Sequence, residues 1–447
     1  MSRGLRRFRC AVVVAALGLG ALPSFAAERE LDEDPPPSEA SDIRTAIQRI
    51  FPEPEPGRAL FPWLGQALQD LPPFFADSRI DAHFRTAYIR QDRTIDIKSE
   101  AWAAGGSLSY RSGWLADTFA VEAEGFTSQP VYKPSGRGGT GLLQLGQDGY
   151  SVLGIANAKL RYRGVVLTGY RQYLDLPYLN RSDSRMTPNT FESVTIEKPD
   201  GKFRFSTGYT WKIKRRTSDE FVSMTEALGL DVDRGLLHAG AAWRPNEDLY
   251  VGAIAGQLHD VYGGVYSEFA FGRPLTPDID LRLDGQLTYQ WDTGADLLGP
   301  LVDDTWNIGL RTSASWQGFV LRLGLTYTGS NGGIFSPFGS SPTYVDMMQR
   351  TFTRANEKAL LLSLSYDFSE LGAEGLTVIA NFVSGWDGRI LDEPDDAQEF
   401  DVTIDYRPKG KFDGFWLRLR GSWLHEDRFN RHGTDVRVIL RYDFRVI

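Results

Sequence analysis

The chain has one cysteine, Cys10, five histidines, and apart from its first residues no apolar run approaching the roughly 18 residues that a membrane helix requires. A lone cysteine excludes a disulfide. Because Cys10 precedes the N-terminal apolar run instead of following it, a lipoprotein anchor is excluded as well. His83, His238, His259, His425 and His432 are scattered without zinc spacing, and no nucleophile elbow or glycine-rich phosphate loop is present. Neither a metal nor a cofactor is expected, and an enzyme has little support. Positive charge is also short: the formal net charge of -9 becomes -13 once the four arginines of residues 1–26 are removed, which argues against nucleic acid as a partner.

What is present begins with an export signal. Arg3, Arg6, Arg7 and Arg9 form a basic region, residues 11–22 an apolar one, and Ser24 and Ala26 are the small residues that place cleavage after Ala26. Residues 27–75 read as an acidic, proline-rich periplasmic leader with a short helix over 41–51, Ser41 or Asp42 at its cap. Within that leader Phe61, Trp63, Leu64, Leu68 and Leu71 form an apolar cluster, which could serve instead as a plug or a partner-binding segment.

Residues 76–447 carry the dominant pattern. In Phe415-Trp416-Leu417-Arg418-Leu419-Arg420 apolar residues and arginines alternate, and the same period of two returns in Ile279-Asp280-Leu281-Arg282-Leu283-Asp284 and in Val436-Arg437-Val438-Ile439-Leu440-Arg441. A strand sends alternate side chains to opposite faces, so one face suits lipid and the other water. With aromatics at 12% and 11 tryptophans, the fold expected is all-β: a transmembrane antiparallel barrel with aromatic girdles, in the outer membrane. A large secreted soluble sandwich, solenoid or propeller is the alternative, though its strands rarely carry arginine at every second place.

Candidate strands fall at 80–91, 100–112, 118–128, 152–163, 165–173, 191–198, 203–215, 236–244, 249–260, 265–273, 279–292, 305–317, 319–328, 358–368, 376–386, 399–407, 415–426 and 434–444. That is about eighteen, an even number, and a barrel of that size leaves an aqueous channel. Short connections such as Arg163-Gly164 and Gln317-Gly318 suit periplasmic turns, whereas 217–235 and 329–357 suit extracellular loops able to fold inward.

Several segments then occur in a specific order. Phe74-Phe75-Ala76-Asp77-Ser78 leads into the first strand, Tyr110-Arg111-Ser112-Gly113 closes the second, and Gly138-Gly139-Thr140-Gly141-Leu142-Leu143 lies in a long loop. Leu176-Pro177-Tyr178-Leu179 follows, with Asp183, Arg185 and Pro188-Asn189-Thr190-Phe191, then Tyr366-Asp367-Phe368 and Leu371-Gly372-Ala373-Glu374-Gly375-Leu376-Thr377. From Phe74 to the end the chain resembles the OprD-type substrate-specific outer-membrane porins. The resemblance implies an eighteen-stranded channel, from monomer to homotrimer in assembly, whose inward loops make an eyelet and whose wall bears a ladder of arginines. It also implies passage of small solutes that usually carry a carboxylate, with residues 176–191 as the constriction loop. Two features depart from the family: the acidic, proline-rich leader, and an end at Phe444-Arg445-Val446-Ile447 without a terminal aromatic.

Strand parity gives a wall inventory that does not depend on the family. Lys159, Arg161, Arg204, Arg282, Arg311, Arg322, Arg418, Arg420, Arg437 and Arg441 are expected to face the lumen, because one of them on the lipid side would cost roughly 2–4 kcal/mol at the midplane. Guanidinium groups in a row can pass a carboxylate between forked sites. They can equally pair with inward acids such as Glu122, Glu124, Asp280, Asp284, Asp401, Asp405 and Asp443, and serve only to keep the lumen wet. Arg181, Asp183, Ser184 and Arg185 are the constriction candidates, with Asp303 and Asp304 as an acidic counterpart. The function expected is passive, selective diffusion of small solutes. A plugged or structural barrel is the first alternative and a barrel enzyme the second.

Overall fold

The computed structural model describes residues 59–93, 97–299, 304–390, 393–428 and 430–447; the signal segment, the leader up to residue 58 with its expected helix, and Asp303 lie outside them. Two short helices, α1 (Pro62–Leu68) and α2 (Pro73–Ala76), precede the strands. The strands are β1 (Arg79–Asp92), β2 (Lys98–Arg111), β3 (Phe119–Tyr132), β4 (Tyr150–Tyr162), β5 (Val165–Gln172), β6 (Thr190–Lys198), β7 (Phe203–Lys214), β8 (Leu236–Trp243) and β9 (Leu249–Leu258). They continue as β10 (Tyr262–Thr276), β11 (Ile279–Asp292), β12 (Thr305–Trp316), β13 (Phe319–Thr328), β14 (Lys358–Asp367), β15 (Leu376–Trp386), β16 (Ala397–Tyr406), β17 (Phe415–Glu426) and β18 (Arg431–Arg445).

Each strand pairs antiparallel with its chain neighbours, and β1 pairs antiparallel with β18 to close an 18-strand barrel. A further short segment, Phe221–Ser223, pairs on the end of β7 inside the connection expected to be an extracellular loop. Closure leaves no open edge, so the backbone groups of the wall are satisfied within the sheet. Strand β10 runs further than the 265–273 expected. Gly263 and Gly264 stay in the ladder, and Pro274 is accommodated beside a register shift.

The period of two decides which side chains go in. Along β18, Asp435, Arg437, Ile439, Arg441 and Asp443 are buried while Val436, Val438 and Tyr442 are exposed. In β14, Ala359, Leu361, Ser363 and Ser365 are buried against exposed Leu362 and Leu364. Two aromatic belts ring the outside. Near the short connections Phe203 stacks on Trp243 at 6.0 Å and Trp316 on Phe319 at 6.2 Å; near the long ones Trp306 meets Tyr327 at 5.0 Å and Phe400 meets Trp423 at 5.9 Å. These belts mark where headgroups meet the wall.

The short turns form as their sequences dictate. Arg163-Gly164 and Gln317-Gly318 have positive φ at both positions, the twist that a two-residue hairpin requires and that glycine adopts without strain. The long connections turn inward and carry the apolar filling of the lumen. Leu174, Leu176, Leu179, Phe338, Tyr344, Val345 and Phe352 pack with Leu236, Ile254, Leu258, Tyr262 and Tyr266 of the wall. No residue of the cluster Phe61, Trp63, Leu64, Leu68 and Leu71 joins that filling. Leu60 and Phe61 instead donate backbone hydrogen bonds to the carbonyls of Arg445 and Val446, which ties the segment to the rim.

Candidate functional site

Loops 133–149, 173–189 and 329–357 meet inside the barrel. The hairpin of Asp175–Leu176 with Leu179–Asn180 is sewn to the third loop: the Asn180 amide donates to the Phe338 carbonyl, and the Asn180 side chain exchanges hydrogen bonds of 2.9 Å with the Ser340 backbone. On the other flank Leu142, Leu143 and Met186 pack on Ala87, Ile89, Ala101, Ala103 and Ile439. A Cβ on Gly141 would come within 2.9 Å of Arg185 Nε, so the glycine lets the first loop approach that guanidinium. The tip of loop 329–357 is fixed to the wall. Met348 N donates to Asp401, and Gln349 N and Arg350 N to the two oxygens of Glu399, at 2.8–3.0 Å.

The wall delivers arginines to the same place. Strand register sets Arg420 directly across from Arg437, and Arg85 across from Arg441, with Arg418 opposite Ile439. From the loops come Arg185 and Arg216. Arg185 donates to the carbonyls of Thr140 at 2.8 Å and Ser184 at 3.0 Å, and Arg216 to the hydroxyls of Ser184 at 2.5 Å and Ser182 at 3.1 Å. Among the described residues, Arg185, Arg216 and Arg420 have no carboxylate within ion-pair distance; Arg420 donates to the Thr403 hydroxyl at 3.2 Å. Burial, and then the Arg437 and Arg216 charges, push the Arg185 guanidinium down to about 8. Arg216 is lowered by burial and by the Arg437 charge. Cations held this close with few acids create a place where an anion is stabilised.

Besides the wall acids Asp401 and Asp435, loop 329–357 brings one acid, Asp346, against the cluster. Burial raises the Asp346 carboxyl to about 6 despite the Thr351 hydroxyl bonded to it and the Arg216 and Arg420 charges, which pull it down. Asp304, the described member of the expected acidic pair, stands just before β12.

The other expected residues are distributed as follows. All ten wall cations lie on the inward parity, but most have acidic partners. Lys159 pairs with Glu122 at 2.8 Å, Arg161 with Asp117 under Trp114, Arg418 with Asp405 at 2.7 Å, Arg437 with Asp435, and Arg441 with Asp443 at 2.7 Å. Arg282 and Arg311 share Asp284 at 2.6 and 3.0 Å, and Arg322 stands beside them on the neighbouring strand without a carboxylate in reach among the described residues. Arg204 lies near the start of β7, away from the cluster.

Of the constriction candidates, Arg181 turns to Asp175 and lies over the Tyr173 ring at 4.5 Å. Asp183 takes a forked pair from Arg85 at 2.6 and 2.8 Å. Burial alone would raise that carboxyl; the Arg85 charge and its hydrogen bonds, with Arg441 and Arg181 behind, pull it down to about 2. Ser184 accepts from Arg216, and Arg185 lies at the centre of the cluster. Arg85, Arg216 and Asp346 were missed by the sequence reading. Arg85 was legible, since Asp81, His83 and Arg85 alternate with Ala82, Phe84 and Thr86. For Arg216 and Asp346, both in loops, there was no period to read.

Comparison with known proteins decides what this barrel is. A family model described as outer membrane porin, OprD family, matches residues 72–446. The chain belongs to the OprD family of outer membrane porins. It is 24% identical over 398 residues to the porin-like protein GalP of Pseudomonas putida, covering 84% of this chain and 93% of that one. It is 23% identical over 345 residues to Porin D of Pseudomonas aeruginosa, covering 70% and 75%. The crystal structure of P. aeruginosa OccK9 (OpdG) superposes with a TM-score of 0.77 at 26% identity, over 83% of this chain and all but 1% of that one. P. aeruginosa OpdK, solved with vanillate, gives 0.75 at 25% identity over 83% and 100%. The OprD-family barrel is thus an outer-membrane channel of the substrate-specific kind, and its relatives are porins and not enzymes.

Proposed function

We propose that this porin passes small carboxylate-bearing solutes down their concentration gradient, and that Arg185, Arg216 and Arg420, gathered beside the Asp435-paired Arg437, attract the carboxylate at the constriction. The observation that carries the reading is the set of three arginines, from two loops and β17, that meet no carboxylate within ion-pair distance among the described residues. A solute carboxylate supplies the missing partner. Arg418, Arg441 and Arg85 continue the basic lane along the wall, each softened by Asp405, Asp443 or Asp183, so attraction extends along a path without one deep trap. Vanillate, held by the OpdK relative, is a carboxylate of this size class. Asp346 beside the cluster disfavours the most highly charged anions. In the same reading residues 1–26 are removed on export, residues 27–75 remain on the periplasmic side as a leader ahead of the barrel, and the assembly is monomeric to homotrimeric.

Purified protein in planar bilayers tests the proposal. Discrete conductance with anion preference is expected, together with current block by monocarboxylates. A barrel that conducts nothing, before and after removal of residues 28–75, contradicts the channel. One that conducts with cation preference and no carboxylate block contradicts the solute class.

A further inference from the structure

We infer that the segment just ahead of the barrel, residues 59–77, is a membrane foot whose aromatic side chains enter the phospholipid interface beside the short-turn rim. The segment is apolar and lacks positive charge: between Ala59 and Asp77 the only ionisable side chains are Asp70 and Asp77. Leu60, Phe61, Trp63, Leu71 and Phe75 are all exposed, Trp63 at 64%, and no residue of α1 or α2 is buried. Exposed apolar groups this dense on a segment held firmly in place require a partner.

The segment is held at both ends. Leu60 N and Phe61 N donate to the carbonyls of Arg445 and Val446 at 2.9 and 3.1 Å, so the chain is tied to the rim at the end of β18. At the other end Gly113 N donates to the Phe74 carbonyl at 3.1 Å. A Cβ at Gly113 would fall 2.1 Å from the Pro73 carbonyl oxygen, so the seat of α2 depends on a bare backbone there. The foot therefore spans the rim from β18 past β1 and β2 to β3.

Lipid is the occupant because the foot joins a surface that is already lipid-facing. Phe74 stacks on Phe119 at 6.3 Å with 9° between the rings, and Phe119 has the outward parity of β3. At the other anchor Tyr442 and Phe444, 5.8 Å apart, have the outward parity of β18. Phe119 and Phe444 stand at strand ends on the short-connection side of the barrel, as do Trp243, Trp316 and Phe319 of the short-turn aromatic belt. Tryptophan and phenylalanine at that depth favour the boundary between headgroup and acyl chain.

The experiment uses the mature chain, which has no native cysteine once the signal containing Cys10 is removed. Trp63→Cys and Phe75→Cys are each labelled with a nitroxide and reconstituted in phospholipid bilayers. Collision with oxygen and with a water-soluble nickel chelate is then measured, with Leu323→Cys on the lipid-facing wall and Leu145→Cys on the fully exposed loop as references. The foot predicts oxygen-dominated readings at positions 63 and 75, shallower than at 323 and distinct from 145. Nickel-dominated readings like that of 145 overturn it, as does shielding from both reagents, which would mean a protein partner. Adding Gly113→Ala to the Trp63→Cys chain is expected to move its reading toward water while bilayer conductance persists. An unchanged reading would contradict the seat at Gly113.

Discussion

Two groups of inward arginines in this barrel differ in how completely the protein answers their charge. On β11, β12 and β13, Arg282, Arg311 and Arg322 surround Asp284, which is fully buried and bonded to the first two, and Arg311 is capped by the Tyr344 ring at 4.4 Å. At the constriction, Arg185, Arg216 and Arg420 gather beside Arg437, and among the described residues the acids around them, Asp346 and Asp183 of the loops and Asp401 and Asp435 of the wall, stay beyond ion-pair distance of these three. A paired arginine mainly maintains the wall, because its attraction is already satisfied. An arginine brought beside other cations at the constriction, whether by a loop or by β17, retains attraction for whatever passes. Position on the lumen face is shared by both groups, so parity alone does not assign function.

The comparison yields measurements of decreasing size. Replacing Arg216 and Arg420 together by Ala removes two charge-assisted contacts worth about 1.5–3 kcal/mol each when made. The anion-to-cation permeability ratio from reversal potentials should fall by about tenfold or more. Asp284→Asn should do the opposite on the other wall: Arg282 and Arg311 lose their acid, and the ratio should rise a few-fold. The change should come with a lower unfolding temperature in detergent, since a buried pair has been opened.

A smaller effect follows from Asp346. Its carboxyl titrates near 6, so it is ionised at pH 7 and opposes the Arg216 and Arg420 charges; as pH falls through 6 it takes a proton and that opposition ends. Anion preference should therefore increase from pH 7 to pH 5. Asp346→Asn should show the high-preference value across the range, and a wild-type ratio that stays flat would exclude the role. Smallest of all, Lys159→Ala should change the ratio by less than about twofold, because Lys159 is already held by Glu122 at 2.8 Å.

The barrel was legible because its rule is short-range. Leu417-Arg418-Leu419-Arg420 states by itself which side chains face in, and the sequence pattern of 18 such segments matches the strands that form. The same rule, applied evenly, would also have found Arg85. It could not say that Arg420 would stand opposite Arg437, which depends on the register of β17 on β18, or that Asp284 would serve two arginines. The constriction was less legible still. Arg216 and Asp346 reach it only because loops 215–235 and 329–357 fold inward, directed by contacts such as Met348 and Gln349 on Asp401 and Glu399, which join residues about 50 positions apart. The apolar cluster at Phe61 and Trp63 was visible as a cluster, but its place on the rim comes from two backbone hydrogen bonds to Arg445 and Val446.

The most direct test of the unanswered arginines is the concentration of benzoate that half-blocks the single-channel current, compared with that of uncharged benzamide, in the wild-type channel and in Arg185→Ala/Arg216→Ala/Arg420→Ala. The half-blocking concentration of benzoate should rise at least about tenfold in the variant while benzamide is unaffected. Equal block by benzoate in both channels, with the variant still conducting, would contradict the assignment of these three residues to carboxylate recognition.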